Sequence, residues 1–250
     1  MDKTVVVVGG TSGIGLRAVE RLLEQGWTVW ALGSRERLSA VVADEERLTY
    51  VQCDVRSADA IREAFDRIRQ SCSSLRALIY SAGVNITGEL GTISLEDADV
   101  MFDINLKGPW LTLREAIPML RESAAPDDPA RVIVIGSIGG IRPKVSGGIY
   151  GATKAAAHVL AQVAAAELGP QGIAVNVVAP GSTDTPMIAA ATKAGAESGY
   201  RASGTSPLGR IGSPDDVADV IFFLLSDAAK YVNGVVLPVD GGTRAAYNNR

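Results

Sequence analysis

The 250-residue sequence is poor in histidine and cysteine, and this excludes several kinds of active site. It contains one histidine, His158, so neither a histidine-based catalytic triad nor a histidine-rich metal site is expected. The two cysteines, Cys53 and Cys72, stand far apart and outside any Cys-x-x-Cys pair. They indicate two free thiols in a reducing compartment, and we expect a cytoplasmic protein.

Long apolar runs and runs of basic residues are also absent. No stretch reaches the ~18 apolar residues of a transmembrane helix, and a strand pattern begins at once after the N-terminus, which leaves no room for a signal peptide. The formal net charge of −4 argues against a nucleic-acid-binding surface. Asp127 and Asp128 precede Pro129 and are interpreted as a solvated loop rather than a metal site. The expected partner is therefore a small-molecule substrate, without nucleic acid, membrane or metal.

Apolar runs of strand length alternate with segments of helical periodicity along the whole chain. We find no change of composition that would separate two domains. The pattern predicts an α/β fold, a doubly wound parallel sheet of about seven strands with helices on both faces. One helical stretch is predicted from Leu95 to about Arg121, with Pro109 and Pro118 expected to bend or interrupt it. Residues 1–250 are predicted to form one domain.

A glycine-rich turn follows the first predicted strand. The β-branched run from Val5 to Val8 is typical of a strand buried on both faces. A helical spacing of apolar residues follows, so unpaired backbone amides and the helix dipole converge on one spot. Glycine also lets the backbone approach a pyrophosphate closely. The turn predicts a nucleotide site formed by Gly9, Thr11, Ser12, Gly13, Ile14 and Gly15.

Polar and glycine clusters follow the other predicted strands as well. Ligands of doubly wound sheets bind outside the carboxyl ends of the strands, so these clusters are expected to converge on one edge. The alternative is that every strand needs a polar loop after it. The candidates are Ser34, Arg35, Asp54, Val55, Ser81, Ala82, Gly83, Ser137, Pro180, Gly181, Thr183 and Thr185.

Tyr150 and Lys154 stand four residues apart at the start of an alanine-rich helix, and this spacing places them on one helix face. A nearby cation favours the phenolate form of tyrosine. Ser137, at a strand end, and Asn105, on the preceding helix, add a hydroxyl and an amide. Such a group suits carbonyl–alcohol interconversion. The alternative interpretation of the tyrosine–lysine pair is a surface pair without function.

Taken together, these motifs resemble the classical short-chain dehydrogenases/reductases. The motifs are Gly9-x-x-x-Gly13-x-Gly15, Asn105, Ser137, Tyr150-x-x-x-Lys154 and Pro180-Gly181. The resemblance implies a Rossmann-type single domain that uses NAD or NADP. It also implies that Tyr150 is the general acid/base, that Ser137 orients the substrate oxygen and that Lys154 binds the nicotinamide ribose. Asn105 would sustain a proton relay, Asp54 and Val55 would lie beside the adenine, and Gly83 would lie near the ribose.

The sequence departs from the family pattern at Tyr80-Ser81-Ala82-Gly83, where Asn-Asn-Ala-Gly is usual. Loss of the first asparagine puts local bracing of the sheet in question, but not the catalytic groups.

The end of the second predicted strand bears on cofactor choice. An acidic residue there would bind the ribose hydroxyls of NAD and repel a 2′-phosphate. Here Gly33 is followed by Ser34 and Arg35, which suit a phosphate. We therefore expect NADP(H) to be preferred, with NAD(H) possible. The alternative is that Arg35 and nearby Arg37 are solvated charges.

The sequence is compatible with several classes of substrate. The stretch from Pro180 to Met187 resembles dihydrodihydroxybenzoate dehydrogenases, which oxidise a cyclic diol with NAD. Pro207 to Arg210 occurs there and also in oxoacyl-carrier-protein reductases. The predicted flexible lid, about 184–212, is rich in polar and small residues and favours a modest polar or cyclic substrate. A cofactor-binding sensor without turnover is the alternative from another functional class.

The alanine-rich helix that carries Tyr150 is apolar nearly all round, so it is expected to be deeply buried or shared with another subunit. The resemblance also implies a homo-oligomer, either a tetramer or a dimer. His158, four residues after Lys154, is interpreted as a packed or interface histidine without catalytic role.

Overall fold

The structure is a computed structural model, and it describes residues 3–35, 46–190, 193 and 204–246. Its centre is a seven-stranded parallel sheet with the order β3-β2-β1-β4-β5-β6-β7. The strands are β1 (Thr4–Val8), β2 (Thr28–Gly33), β3 (Leu48–Gln52), β4 (Ala77–Tyr80), β5 (Ala130–Ile135), β6 (Ile173–Pro180) and β7 (Val236–Val239). The predicted single-domain Rossmann-type fold is confirmed.

Helices cover both faces of the sheet. They are α1 (Gly13–Glu24), α2 (Ala58–Ser71), α3 (Leu95–Phe102), α4 (Gly108–Ser123), α5 (Gly148–Leu168) and α6 (Pro214–Leu225). Short 3-10 helices occupy Ile138–Gly140, Gly169–Gln171 and Asp227–Ala229. No described helix is both long enough and apolar enough to cross a membrane.

The alternation of side chains along β1 explains the two-layered core. Val5 and Val7 pack with residues of α1 and α6, whereas Val6 and Val8 pack with residues of α2, α4 and α5. All five residues of β1 are buried, because both faces of a central parallel strand are covered by helices. This burial accounts for the unbroken β-branched run in the sequence.

The helical stretch predicted from Leu95 to about Arg121 is continuous to Ser123, but its helix type changes just before Pro109. A π-helical segment, Asp103–Lys107, separates α3 from α4. Pro109 lies in the first turn of α4, but the helical backbone runs into this turn from the π-helical segment, so the proline removes one backbone donor from a continuous helix. The expected interruption at Pro118 is not found, since α4 continues through it to Ser123. The change of helix type instead falls at Asn105, a predicted site residue.

The order of the strands determines where a ligand can bind. The chain runs outward from β1 to β3 and then returns to β4, which pairs with the other side of β1. This reversal opens a crevice outside the carboxyl ends of β1 and β4. The loops after all the central strands meet at this edge.

Candidate active site

The turn between β1 and α1 allows a close approach that only glycine permits. Gly9 has φ +79°, and a Cβ there would lie 2.7 Å from the Cα of Ala82. A Cβ on Gly15 would lie 2.9 Å from the carbonyl carbon of Gly9. The backbone of the turn is thus packed against itself and against the end of β4. This packing brings the backbone of the turn to the start of α1, which suits a pyrophosphate.

One cavity of about 690 Å³ occupies the carboxyl edge of the sheet. This volume lies within the usual range for small-molecule and cofactor sites. Most of the predicted site residues line it: Gly9, Thr11, Ser12, Gly13, Ile14, Ser34, Arg35, Asp54, Val55, Ser81, Ala82, Gly83, Ser137, Tyr150, Lys154, Pro180, Gly181, Thr183 and Thr185. Gly15 and Asn105 do not line it, because both are buried behind its wall.

Ser137 and Tyr150 lie on either side of Gly139. The Ser137 hydroxyl accepts a hydrogen bond from the backbone N–H of Gly139 at 3.0 Å and so caps the short helix Ile138–Gly140. A Cβ on Gly139 would lie 3.3 Å from this hydroxyl and 3.4 Å from ring atom Cε1 of Tyr150. The hydroxyl and the phenol ring therefore converge on the same part of the cavity.

Lys154 is held at the base of the cavity. Its Nζ donates a hydrogen bond to the Ile135 carbonyl at 3.0 Å, at the end of β5. Burial lowers the pKa of Lys154 to about 8, so the ammonium form still predominates at neutral pH. A Cβ on Gly83 would lie 3.3 Å from this Nζ. The absence of a side chain at Gly83 keeps the space above the ammonium open.

Asn105 joins three parts of the structure. Its amide nitrogen donates to the Val84 carbonyl at 2.9 Å and to the Thr153 hydroxyl at 3.1 Å. Its Oδ1 accepts from the Val84 backbone N–H at 3.0 Å. The side chain therefore ties the loop after β4 to α5, next to Lys154. The proton relay that the family resemblance implies for Asn105 stays a prediction.

The segment from Gly33 to Arg35 is anchored by two side chains of β3. The Tyr50 hydroxyl donates to the Gly33 carbonyl at 2.9 Å and also to the Arg35 carbonyl. The Gln52 amide donates to the Ser34 carbonyl at 3.3 Å. These bonds fix the backbone from which Ser34 and Arg35 extend at the cavity edge. Arg37 lies outside the described residues.

The first residues of the predicted lid close against the glycine turn. A Cβ on Gly13 would lie 3.3 Å from the Thr185 methyl group. Residues 186–190 are helical. A Cβ on Gly83 would lie 3.8 Å from Cε of Met187. Thr183 and Gly212 form a β-bridge that joins the two ends of the predicted lid. Residues 191, 192 and 194–203 lie outside the described residues, so the lid itself stays a prediction.

Three residues of the site were given no functional role in the sequence analysis. His158 accepts a hydrogen bond from the backbone of Ser137, although we interpreted it as packing only. Arg142 and Lys144, which lie between Ser137 and Tyr150 in sequence, also line the cavity. The position of His158, one turn after Lys154 on the same helix face, was the available signal. No comparable pattern marked the other two.

Comparison with known proteins identifies the family. The family described as enoyl-(acyl carrier protein) reductase matches residues 8–244. The 2,5-dichloro-2,5-cyclohexadiene-1,4-diol dehydrogenase of Sphingobium indicum is 31% identical over 245 residues, or 96% of this chain and 95% of that protein. The chain belongs to the short-chain dehydrogenase/reductase family. The 3-oxoacyl-(acyl-carrier-protein) reductase of Aquifex aeolicus is likewise 31% identical, over 96% of both chains.

Solved structures agree with this assignment. The structure of ElxO with NADP bound superimposes with a TM-score of 0.86 at 26% identity, covering 98% of this chain and 100% of the other. As a short-chain dehydrogenase/reductase, the protein is an NAD(P)-dependent oxidoreductase that acts on CH–OH groups and carbonyls. Among the described residues, no cluster of three or more His, Cys, Asp and Glu side chains is suited to a metal ion.

Proposed function

We propose that the protein is an NADP-preferring oxidoreductase that interconverts a carbonyl and an alcohol on a small substrate, with Tyr150 as general acid/base. The observation that carries the cofactor preference is the environment of Gly33. A Cβ at this position would lie 2.6 Å from the Thr11 methyl group. The acidic side chain that selects NAD at the end of the second strand would therefore not fit without displacing Thr11.

The charges at this end of the cavity support the same preference. Arg35 lines it, and a guanidinium is well suited to a 2′-phosphate. Asp54 is the one carboxylate among the described lining residues, and both of its oxygens accept hydrogen bonds from the Arg56 guanidinium. These contacts hold the pKa of Asp54 below its ordinary value. Since this carboxylate is already neutralised, it offers little repulsion to a phosphate.

The residues of the glycine turn and of the catalytic group fit a bound dinucleotide. Gly9 and Gly13 line the cavity at the start of α1, and a Cβ on Gly9 would press against the end of β4, so the turn keeps its backbone at the cavity only with glycine there. When bound, the nicotinamide supplies or accepts the hydride. Tyr150 would hold or move the proton at the substrate oxygen, Ser137 would orient that oxygen, and Lys154 would hold a ribose hydroxyl. The buried ammonium of Lys154 would also favour the phenolate of Tyr150.

Steady-state rates with each cofactor test the preference. We expect kcat/KM to be higher with NADPH than with NADH. Arg35→Gln should lower kcat/KM for NADPH by about tenfold or more and leave that for NADH unchanged, because one charge-assisted phosphate contact is lost. Arg62→Gln, at an exposed arginine paired with Asp59 on α2, is the matched control. More efficient use of NADH by the wild-type protein would contradict the proposal.

The substrate is proposed as a modest polar or cyclic carbonyl or alcohol. A screen of ketones, diols and oxoacyl thioesters against both cofactors separates the three candidate classes. Turnover of a cyclic diol with NAD would favour the diol-dehydrogenase alternative, and turnover of an oxoacyl thioester with NADPH would favour the acyl-carrier-protein alternative. Absorbance of the reduced nicotinamide is the readout.

We also propose that the protein forms a homo-oligomer, dimer or tetramer, through α5. Val159 and Val163 lie one turn apart on this helix and are 60% and 48% exposed, while the opposite side of the helix is buried. Covering two such side chains in a second copy removes apolar surface from water. Sedimentation velocity of the wild type and of Val159→Glu tests this, because the variant should dissociate. Cys53 and Cys72 form no disulfide, which supports a cytoplasmic location.

A further inference from the structure

Thr153 stands between the proposed catalytic residues Tyr150 and Lys154 on α5. Its side chain is fully buried and does not line the cavity. The Thr153 hydroxyl donates a hydrogen bond to the Tyr150 carbonyl at 2.8 Å. The same hydroxyl accepts a hydrogen bond from Nδ2 of Asn105 at 3.1 Å. Thr153 therefore joins the turn of α5 that carries Tyr150 to the π-helical segment that carries Asn105.

The directions of these two bonds follow from the hydrogen-bonding capacity of each group. A hydroxyl has one hydrogen to donate and a carbonyl can only accept, so the hydrogen of Thr153 goes to Tyr150. The lone pairs of the hydroxyl then accept an N–H group, which Asn105 provides. The other hydrogen of Nδ2 goes to the Val84 carbonyl at 2.9 Å. Thr153 thus helps to determine which end of the Asn105 amide faces α5.

This orientation places the amide oxygen of Asn105 on the side of the Lys154 ammonium. A Cβ on Gly83 would lie 3.3 Å from Oδ1 of Asn105 and also 3.3 Å from Nζ of Lys154. The two atoms therefore border the same space above Gly83, which lines the cavity. An amide oxygen carries partial negative charge and is attracted by an ammonium, whereas a rotated amide would turn its N–H groups toward the cation.

The other bonds that hold Asn105 lead away from α5. The Val84 N–H donates to Oδ1 of Asn105 at 3.0 Å, in the loop after β4. The Tyr80 hydroxyl of β4 donates to the carbonyl of Ile104, the residue before Asn105. These bonds join Asn105 to β4 and the loop that follows it, whereas the Thr153 hydroxyl joins it to α5. Without this hydroxyl, the amide would lose its hydrogen bond to the helix that carries the proposed catalytic pair.

We infer that Thr153 is a positioning residue of the active site, whose hydroxyl holds the Asn105 amide in the orientation that faces Lys154 and in register with Tyr150. Thr153 acts through these residues, because its own side chain does not line the cavity. Small displacements of catalytic groups are costly to the rate, so a buried bond of this kind affects turnover more than cofactor binding. The inference rests on the proposed oxidoreductase function and adds a residue to it.

Two substitutions separate the hydroxyl of Thr153 from the shape of its side chain. Thr153→Val keeps the β-branched shape and removes the hydroxyl, whereas Thr153→Ser keeps the hydroxyl and removes the methyl group. The substrate is the ketone, diol or oxoacyl thioester that the wild type turns over fastest. Thr153→Val should lower kcat by about tenfold and change the Kd for NADPH by less than about twofold, while Thr153→Ser should keep most of the wild-type kcat.

A packing role predicts the opposite order of the two variants. If Thr153→Val keeps the wild-type kcat and Thr153→Ser loses it, the inference is overturned. Thr112→Val is the matched control, because Thr112 on α4 is also buried but its hydroxyl has no hydrogen-bond partner among the described residues. This control should leave kcat unchanged. An equal loss of kcat in Thr112→Val and Thr153→Val would contradict a specific role of the Thr153 hydroxyl.

A double-variant cycle tests whether Thr153 acts through Asn105. Asn105→Ala removes the amide that donates to the Thr153 hydroxyl. In this background, Thr153→Val should lower kcat by less than about twofold, against about tenfold in the wild type. Equal factors in the two backgrounds would refute the coupling. Urea unfolding of every variant establishes that folded proteins are compared.

The Tyr150→Phe variant separates this inference from the proposed function. If the wild type turns over, Tyr150→Phe is inactive and Thr153→Val keeps the wild-type kcat, the inference alone is wrong. If the wild type neither binds NADPH nor turns over any of the three substrate classes, the proposed function fails and the inference fails with it.

Discussion

The backbone N–H of Ser137 donates a hydrogen bond to Nε2 of His158 at 3.3 Å. The imidazole fits between two glycines of the same loop. A Cβ on Gly136 would lie 2.8 Å from Cδ2 of the ring, and a Cβ on Gly140 would lie 2.7 Å from Cε1. Burial and the Lys154 ammonium lower the pKa of His158 to about 4, so the ring is neutral and Nε2 can accept. The only histidine of the chain thus positions the loop of a proposed catalytic serine.

Replacing His158 with leucine should lower kcat by about tenfold and leave the Kd for NADPH nearly unchanged. The variant removes the acceptor that holds the backbone of Ser137, and small displacements of catalytic groups are costly. His158→Gln, which restores an acceptor, should recover part of the rate. A variant that loses stability but keeps the wild-type kcat would show a packing role only.

His158 should also make the free energy of unfolding depend on pH in acid solution. An unfolded histidine takes up a proton near pH 6.5, whereas the folded protein resists it until about pH 4. The unfolded state therefore binds more protons in this window, and the free energy of unfolding falls as the pH drops, by up to about 1.4 kcal/mol for each unit of pKa difference. Urea titrations between pH 7 and pH 4 measure the slope. The slope of the free energy of unfolding against pH should be smaller in His158→Leu. An unchanged slope would rule out the contribution of His158.

Tyr80 and Gly108 predict a non-additive pair of substitutions. The Tyr80 hydroxyl donates to the Ile104 carbonyl at 2.6 Å, and a Cβ on Gly108 would lie well within 3.0 Å of that hydroxyl but 3.2 Å from the ring carbon Cζ. Tyr80→Phe should cost about 1–3 kcal/mol, since the partly buried Ile104 carbonyl loses its donor. Gly108→Ala should cost more in the wild type than in Tyr80→Phe, because the phenylalanine lacks the obstructing atom.

Chemical unfolding of the wild type, the two single variants and the double variant Tyr80→Phe/Gly108→Ala measures the coupling free energy between the two substitutions. Gly91→Ala is the control, because a Cβ there has no neighbour within 4 Å. Strict additivity of the two substitutions would show that Gly108 is not required by the hydroxyl. The pair also explains the departure from the family pattern: Tyr80 braces β4 against the π-helical segment that carries Asn105.

Tyr150→Phe should reduce kcat by about 10²–10⁴-fold, the usual contribution of a general acid/base, while NADPH still binds. Tyr231→Phe is the matched control, because Tyr231 is fully exposed. Single-turnover rates and NADPH fluorescence are the two readouts. If Tyr150→Phe keeps most of the rate, the catalytic assignment is wrong. Binding without turnover in the wild type would support the sensor alternative.

The pH dependence of NADPH binding should report Lys154. Its cationic form is present below a pKa of about 8 and lost above it, so the Kd for NADPH should rise as the pH passes through 8. In the unfolded chain this proton is lost only near pH 10.5, so neutralisation of the buried amine should raise the free energy of unfolding between pH 8 and 10.5. Lys154→Met should remove both effects, and Lys230→Met should remove neither. A Kd for NADPH that does not change with pH around 8 in the wild type would exclude a cofactor-binding role of the Lys154 ammonium.

Much of the fold and of the site could be predicted because the relevant information is local. The apolar run Val5 to Val8 reflects burial on both faces of one strand, and the i, i+4 spacing of Tyr150 and Lys154 reflects one turn of one helix. The strand order then follows from general rules for parallel sheets. Bracing by Tyr80 could not be predicted, because its partner, the Ile104 carbonyl, lies 24 residues away in sequence.

The sequence by itself determined the Rossmann-type fold and the glycine turn and led to the proposed catalytic residues, since each depends on short-range periodicity or on residue types that backbone geometry demands. Only the tertiary structure decided that His158 supports Ser137, that Thr11 leaves no room for a side chain at Gly33, and that Arg142 and Lys144 line the cavity. These relationships depend on distances between separate loops at the carboxyl edge of the sheet. Those distances are set by tertiary packing, so they cannot be predicted from the spacing of residues along the chain.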